Sequence, residues 1–155
     1  MQKGLWFTTM NMVRSALDTA FSSALLLGGS TKMAEAAVFD AIESSEDVSQ
    51  SSSLLIETAK SLVRRRKNTA RRLDVCALLP FELGRLFLLD PMGRDSFVLR
   101  ILAGLPPEAC AGILEVSVPE LEEALFRALQ ELPHLEKRED PCTLATNPLT
   151  SAGNV

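Results

Sequence analysis

Apolar residues recur three and four positions apart along much of this chain, which is the spacing of one face of an α-helix. The clearest stripe is formed by Ala34, Ala37, Val38, Ala41 and Ile42. Tyrosine is absent and aromatic residues make up only 5% of the sequence, so the side chains that favour strands are scarce. The sequence therefore predicts an all-α protein, and 155 residues suffice for one compact domain or two small helical units.

Residues that end and begin helices divide the N-terminal half. Gly28-Gly29 should end a first helix that begins near Met10. Ser30 or Thr31 can accept hydrogen bonds from the first amides of a second helix. Residues 43–53 are rich in serine and carboxylates, so they predict a surface loop, after which a third helix should begin. The first helix is expected to bury Val13, Leu17, Phe21 and Ala24.

Apolar spacing in the C-terminal half predicts three further helices, over residues 94–102, 107–114 and 119–132. Ser117 can cap the last of them, and Glu120 stands three residues later, where it would close a capping box. Residues 73–88 predict a short linker helix that precedes this half. Residues 133–155 contain few groups that could pack, and they predict a disordered tail.

The charges of the chain, −4 in net, are unevenly distributed. Residues 60–72 contain no carboxylate, and their cations are Lys60, Arg64, Arg65, Arg66, Lys67, Arg71 and Arg72. Residues 108–131 contain six carboxylates and a single cation, Arg127. A polyanion should therefore bind the first stretch and avoid the second. The alternative for the first stretch is a solvated helix end whose cations complement the helix dipole.

Residue types that bind metals or carry out catalysis are not grouped in this sequence. Cys76, Cys110 and Cys142 are more than thirty residues apart, which argues against a disulfide framework and favours a reducing cytoplasm. Together with His134, the three cysteines could supply the four ligands of a zinc site. However, Cys110 should be buried and Cys142 falls in the tail. We therefore expect no metal, no cofactor and no enzymatic activity.

No segment of the sequence predicts export or a membrane span. Residues 1–13 contain one lysine and a short apolar patch that Thr8, Thr9 and Asn11 interrupt, which is unlike a signal peptide. No window reaches the roughly 18 to 20 apolar residues that a spanning helix needs. A cytoplasmic protein that does not bind membranes is therefore expected.

Residues 89–132 carry an ordered set of apolar, cap and charged positions, namely Leu89, Pro91, Arg94, Phe97, Leu99, Arg100, Gly104, Leu105, Glu108, Ala111, Ile113, Leu114, Ser117, Val118, Leu125, Arg127, Ala128 and Leu132. In these positions, in order and without a gap, the segment resembles the promoter-reading C-terminal domain of bacterial RNA polymerase sigma factors. Most of these are core or cap positions. The resemblance implies a helix-turn-helix of the winged-helix-like sigma domain 4 type.

The N-terminal half is similar to the other domain of these factors. Residues 20–42 resemble the stretch that binds polymerase, with Ala34 and Glu35 where the family has an Ala-Glu pair. Residues 54–68 resemble the helix that reads and opens the upstream edge of the melted promoter. The resemblance thus implies two small helical domains, residues 10–72 and 89–132, joined as in the compact extracytoplasmic-function group.

The resemblance also implies partners and the residues that would contact them. DNA would be bound by Ser117, Arg127 and the cations of residues 60–72 given above. Core RNA polymerase would be bound by Glu35, Phe39 and Asp40. For Glu35 and Asp40, together with Glu43, an ordinary polar helix face is the alternative. An anti-sigma protein is a further partner of such factors.

The sequence departs from the family on the surface that would face DNA. Glu120, Glu122 and Glu123 stand where the family has Thr, Lys and Ser, and Ala124 replaces a common Arg. These carboxylates either complement the N-terminal helix dipole or form an acidic, protein-binding face. Glu115 replaces the glycine of the turn, where a left-handed backbone is often needed.

Two functions are consistent with these features. The first is a sigma-like transcription initiation protein that binds core RNA polymerase and promoter DNA. The second is an interaction module that keeps the sigma fold, has lost sequence-specific DNA binding and acts as a regulator or decoy. Residues 54–72 contain no aromatic side chain that could stack on unpaired bases, so base capture by that helix is not expected, whereas its cations could still contact phosphates without sequence choice.

Overall fold

The computed structural model of the chain describes residues 2–46, 50–67, 79 and 81–137. Its helices are α1 (Gln2–Gly28), α2 (Thr31–Ser44), α3 (Ser51–Arg66), α4 (Phe81–Gly84), α5 (Pro91–Phe97), α6 (Pro107–Leu114) and α7 (Val118–Glu131). A 3-10 turn (Arg85–Leu88) extends α4, a π-helical turn (Val98–Leu102) extends α5, and a second 3-10 turn (Leu132–Lys137) follows α7. The predicted all-α class is confirmed. These residues include no strand, so they form no β wing.

The turn between α1 and α2 follows the local signals in the sequence. Gly29 has a left-handed backbone with φ of 69°, and its N–H donates to the carbonyl of Leu25 at 2.8 Å. The Ser30 hydroxyl then accepts a hydrogen bond from the N–H of Met33. The predicted stop at Gly28-Gly29 and the cap at Ser30 are therefore confirmed.

Helix α1 differs from the prediction in its start and in the face that it buries. It begins at Gln2 rather than near Met10, and the Thr8 hydroxyl, which interrupts the apolar pattern, donates to the carbonyl of Gly4 within the helix. Val13, Leu17 and Phe21 are only partly buried. The buried face is lined by Ala16, Ala20, Ala24 and Leu27, mostly small side chains that allow close approach of α2 and α3.

Apolar packing continues from the N-terminal helices into the C-terminal half. The larger hydrophobic cluster includes Leu27 of α1, Leu62 of α3, Leu99 after α5, Leu114 of α6 and Leu121 of α7. Helix α3 contacts α1 and α2 on one side and α6 on another. The two halves therefore share a core, and α3 is the element that brings the basic residues of the sequence next to the C-terminal half.

The ordered C-terminal part extends beyond its predicted end. Leu135, which the sequence places in the tail, is 2% exposed and belongs to the larger cluster, where its 3-10 turn packs on the turn Arg85–Leu88. The predicted tail is therefore wrong for residues 133–137, and residues 138–155 lie outside the described part. Of the predicted linker helix 73–88, residues 81–88 are helical and residue 79 is in a bend. Residues 73–78 and 80 lie outside the described part of the chain.

Within the described residues, no helix combines the length and the apolar character needed to cross a membrane.

Candidate nucleic-acid interface

The turn between α6 and α7 has the geometry expected from its sequence. Glu115 has a left-handed backbone with φ of 57° and ψ of 42°, and it is the only non-glycine residue with positive φ in the described part of the chain. The glycine-like position predicted for Glu115 is thus confirmed. A side chain in this conformation is strained at a cost of order 1 kcal/mol.

Helix α7 begins at a capping box, as predicted. The N–H of Glu120 donates to the Ser117 hydroxyl oxygen at 3.4 Å, and the N–H of Ser117 donates to the Glu120 carboxylate at 2.9 Å. The Ser117 hydroxyl also donates to the Glu120 carboxylate, at 2.8 Å. The Ser117 N–H first and this hydroxyl second hold the pKa of Glu120 below its ordinary value. Ser117, predicted to contact DNA, is therefore engaged with Glu120 in capping the helix.

The outward face of α7 is acidic and apolar. Glu122, Glu123 and Phe126 are exposed, and Arg127 is the only cation of the helix. The inward face is formed by Leu121, Ala124 and Ala128. The expectation that Ala124 occupies a DNA-facing position is wrong, because Ala124 is buried where α7 crosses Gly93 of α5.

In the groove between α2 and α3, one residue predicted to bind polymerase contacts one predicted to bind DNA. The Asp40 carboxylate accepts hydrogen bonds from the Ser61 hydroxyl at 2.6 Å and from the Arg65 guanidinium at 2.7 Å. These two contacts, the Ser61 hydroxyl first, hold the pKa of Asp40 below its ordinary value. Lys60 of α3 pairs with Glu57, three residues earlier, at 3.2 Å.

Arg66 is engaged in a buried charge network at the junction of the two halves. Its Nη1 donates to the Asp95 carboxylate at 2.8 to 2.9 Å and to the carbonyl of Leu27 at 3.1 Å, at the end of α1. Asp95 and Arg94 are each 2% exposed and 3.5 Å apart, and the Arg94 guanidinium lies over the Phe87 ring. Burial raises the pKa of Asp95, and the two arginines oppose that shift.

Lys67 links the end of α3 to the α6–α7 turn. Its Nζ donates to the Glu115 carboxylate at 2.8 Å, and this contact holds the pKa of Glu115 below its ordinary value. Both side chains are exposed, so solvent screens the pair. The contact nonetheless brings the cationic end of α3 beside the turn that precedes the acidic face of α7.

Residues 60–72 contain no carboxylate, but the fold brings carboxylates from other parts of the chain next to their cations. Partners for Arg65, Arg66 and Lys67 come from α2, from α5 and from the α6–α7 turn. Arg64 is exposed and makes no ion pair with the described residues. Arg71 and Arg72 lie outside the described part. Sequence reasoning missed Asp95 and the burial of Arg94, because the partners that allow two adjacent charges to be buried are distant along the chain.

The residues predicted to bind polymerase do not share one environment. Phe39 is 66% exposed and Glu35, one helical turn earlier, is also exposed, so both are on the outer face of α2. Asp40 instead faces α3 through its contacts with Ser61 and Arg65. An exposed aromatic side chain such as Phe39 can serve as the anchor of a protein interface.

Neither a metal site nor a nucleophile stands out in the described residues. No three potential metal ligands come together there. Cys110 is buried, as predicted, and burial raises the pKa of its thiol, which makes it a poor metal ligand and nucleophile. Cys76 and Cys142 lie outside the described part.

No family model, no curated protein and no solved structure was found to match this chain.

Proposed function

We propose that this chain is a sigma-factor-like protein that acts in transcription by binding core RNA polymerase, as an interaction module rather than as a reader of promoter sequence. The observation that carries the proposal is the distribution of charge. Arg65, Arg66 and Lys67 pair with carboxylates of the same chain, while α7 exposes carboxylates where a recognition helix needs hydrogen-bond donors. The family assignment rests on the sequence resemblance.

The geometry from α6 to α7 supports the resemblance at the level of fold. Two helices are joined by a short turn, the turn contains a left-handed residue at Glu115, and the second helix is capped by Ser117. These features support the proposed helix-turn-helix. Because such pairs of helices also occur in proteins that do not bind nucleic acids, the arrangement supports the fold more than the activity.

The exposed face of α7 argues against sequence reading. A DNA duplex carries one negative charge per ~1.7 Å, so carboxylates at the groove are repelled and cannot donate hydrogen bonds to the acceptor groups of bases. Glu122 and Glu123 occupy the first turns of the exposed face, and Arg127 is the single cation that could contact a phosphate. Binding to proteins does not have this restriction.

The second candidate is a promoter-binding sigma factor, which is favoured by the exposure of Arg64 and Lys60 on α3. Those cations could neutralise phosphates without sequence choice. Both candidates bind core RNA polymerase and differ in their prediction for promoter DNA, so polymerase capture and DNA binding are tested separately with the whole chain.

Phe39→Ser is expected to weaken capture of purified core RNA polymerase about tenfold, because an exposed aromatic side chain is a typical anchor of a protein interface. The measurement is a pull-down titration on the immobilised chain. Phe126→Ser is the matched control, since Phe126 is a similarly exposed phenylalanine on α7, and it should leave capture within about twofold. Equal capture by the wild type and the Phe39→Ser variant would contradict the assignment of this face.

Glu122→Lys combined with Glu123→Ser is expected to raise affinity for duplex DNA about tenfold at low salt and to steepen its salt dependence. A gel-shift titration measures both. Glu43→Lys with Glu46→Ser makes the same charge change at the end of α2 and should raise affinity much less. Equal gains would show that only net charge matters. Enrichment of one sequence from a random duplex pool by the wild-type protein would favour the second candidate instead.

A further inference from the structure

The outer stripe of α7 is a surface feature that the proposed polymerase binding does not use. We define this stripe by residues spaced three and four apart, namely Pro119, Glu122, Phe126, Leu129 and Pro133. All five are exposed, and the exposed fractions of Phe126 and Leu129 are 60% and 45%. The alternation of three and four is the spacing at which one helix presents a line of side chains to another helix.

The apolar surface of α7 extends further around the helix than the core covers. Leu121 is fully buried and Leu125 is half-buried, and the exposed Leu129 and Phe126 continue the same surface outward. A helix that only packs on its own core needs an apolar stripe about 100° wide, with polar residues opposite. In α7 an aromatic side chain stands near the centre of the opposite face, which burial against the rest of the chain does not explain.

The charges beside the stripe restrict what can cover it. Glu122 lies in the stripe itself and Glu123 lies next to it, and both are exposed. Nucleic acids and anionic lipids would be repelled. A second copy packed through the same stripe would bring no cation to these carboxylates, because Arg127, the only cation of α7, is one residue around the helix from Phe126 and lies off the stripe. A partner with lysine or arginine next to apolar residues would complement the face.

The partner segment should also be helical. The backbone N–H and C=O groups of α7 are paired within the helix, so α7 offers no edge to which a strand could add. We propose that the outer stripe of α7 binds an amphipathic helix of another protein, whose apolar side chains cover Phe126 and Leu129 and whose lysine or arginine residues pair with Glu122 and Glu123. This deepens the proposed interaction module by naming the chemistry of a partner, and that partner need not be polymerase.

The test titrates the full chain with a synthetic peptide of about 18 residues, a length that allows a helix in water. The probe contains leucines spaced three and four apart on one face and lysines elsewhere. Two control peptides separate the contributions: one has glutamate in place of every lysine, and the other has the leucines and lysines in scrambled order. Calorimetry should give measurable binding for the probe and at least tenfold weaker binding for both controls.

Variants of the chain test whether the probe binds at the outer stripe of α7. Phe126→Ser should weaken probe binding about tenfold, and Glu122→Gln with Glu123→Gln should weaken it and reduce its salt dependence. Phe39→Ser, which removes an equally exposed phenylalanine from α2, should leave it unchanged. All these side chains are exposed, and the circular dichroism of each variant should remain that of the wild type.

Three outcomes would overturn the inference. These are unchanged probe binding by Phe126→Ser, equally tight binding of the glutamate peptide, and a wild-type dimer that the Phe126→Ser variant dissolves. Capture of core RNA polymerase by the wild-type chain is measured in parallel. Failure of the wild type to capture polymerase would count against the proposed function, while the peptide titration would still decide the inference about α7.

Discussion

Replacing Arg66 with methionine is expected to lower the free energy of unfolding by about 3 kcal/mol, measured by urea denaturation. Methionine keeps the length and the packing of the arginine stem but removes the closest cation to the buried carboxylate of Asp95, which the guanidinium approaches at 2.8 Å. It also removes the donor to the carbonyl of Leu27 at the end of α1. A buried carboxylate that loses its main partner is left with its desolvation cost.

Arg64→Met is the matched control, because Arg64 is two residues earlier on α3, is exposed and makes no ion pair with the described residues. It should change the free energy of unfolding by no more than ~0.5 kcal/mol. Adding Asp95→Asn to Arg66→Met should restore part of the loss, because the double variant no longer buries a carboxylate that lacks its partner. If Arg66→Met is as stable as Arg64→Met, the network does not stabilise the junction.

The same variant should show an unusual pH dependence. Burial raises the pKa of Asp95 above 3.8, and Arg66 is the main group that opposes the shift, so its removal raises that pKa further. An acid whose folded pKa is raised binds its proton more tightly in the folded state. The deficit of Arg66→Met relative to Arg64→Met should therefore shrink as the pH falls from about 7 towards 4.5. A deficit that is constant over this range would contradict the argument.

The role of Arg66 changes how the basic stretch should be tested for DNA binding. Neutralising Arg64, Arg65, Arg66 and Lys67 together would remove a guanidinium that holds α1, α3 and α5 together. Loss of DNA binding by such a variant would then report partial unfolding as much as lost phosphate contacts. Lys60 and Arg64 are the better positions, because both are exposed and their removal leaves the buried network intact.

Local features of this fold could be predicted because their causes are local. The stop at Gly29, the cap at Ser30, the left-handed backbone at Glu115 and the box of Ser117 with Glu120 each depend on residues within three or four positions. Such motifs satisfy backbone groups that a helix end leaves free, whatever the rest of the chain does. The boundaries of α6 and α7 follow from them within one residue.

The environment of the basic stretch could not be predicted, because its causes are distant in sequence. Arg65 and Asp40 are 25 residues apart, Arg66 and Asp95 are 29 apart, and Lys67 and Glu115 are 48 apart. A count of charges along the chain finds no carboxylate near these cations, whereas the fold brings three carboxylates, from α2, α5 and the α6–α7 turn, within 2.8 Å of them. The buried face of α1 was missed for a similar reason, because alanines become the closest contacts only when neighbouring helices are present.

The crossing of α5 and α7 is another contact between residues that are distant in sequence. A substitution at this crossing should also have a large effect on the free energy of unfolding. A Cβ added at Gly93 would lie 3.3 Å from the Cβ of Ala128 and 3.4 Å from the carbonyl oxygen of Ala124. Gly93→Val is therefore expected to lower the free energy of unfolding by about 3 kcal/mol, because the two further methyl groups must displace the backbone of α7. Gly93→Ala should be nearly neutral, since the gain in helix propensity, up to ~1 kcal/mol, offsets a contact that is only slightly too close.

Gly112→Val is the matched control, because Gly112 is also helical but a Cβ there would meet nothing within 4 Å. Valine is a better helix former than glycine, so this variant should be as stable as the wild type or slightly more stable in the same urea titration. Because Ala124 and Ala128 are on the inward face of α7, displacement of that helix by Gly93→Val should also weaken binding of the leucine-lysine peptide to the outer stripe. Equal stabilities of the two valine variants would contradict a close crossing at Gly93, and the position of α7 would then need another cause.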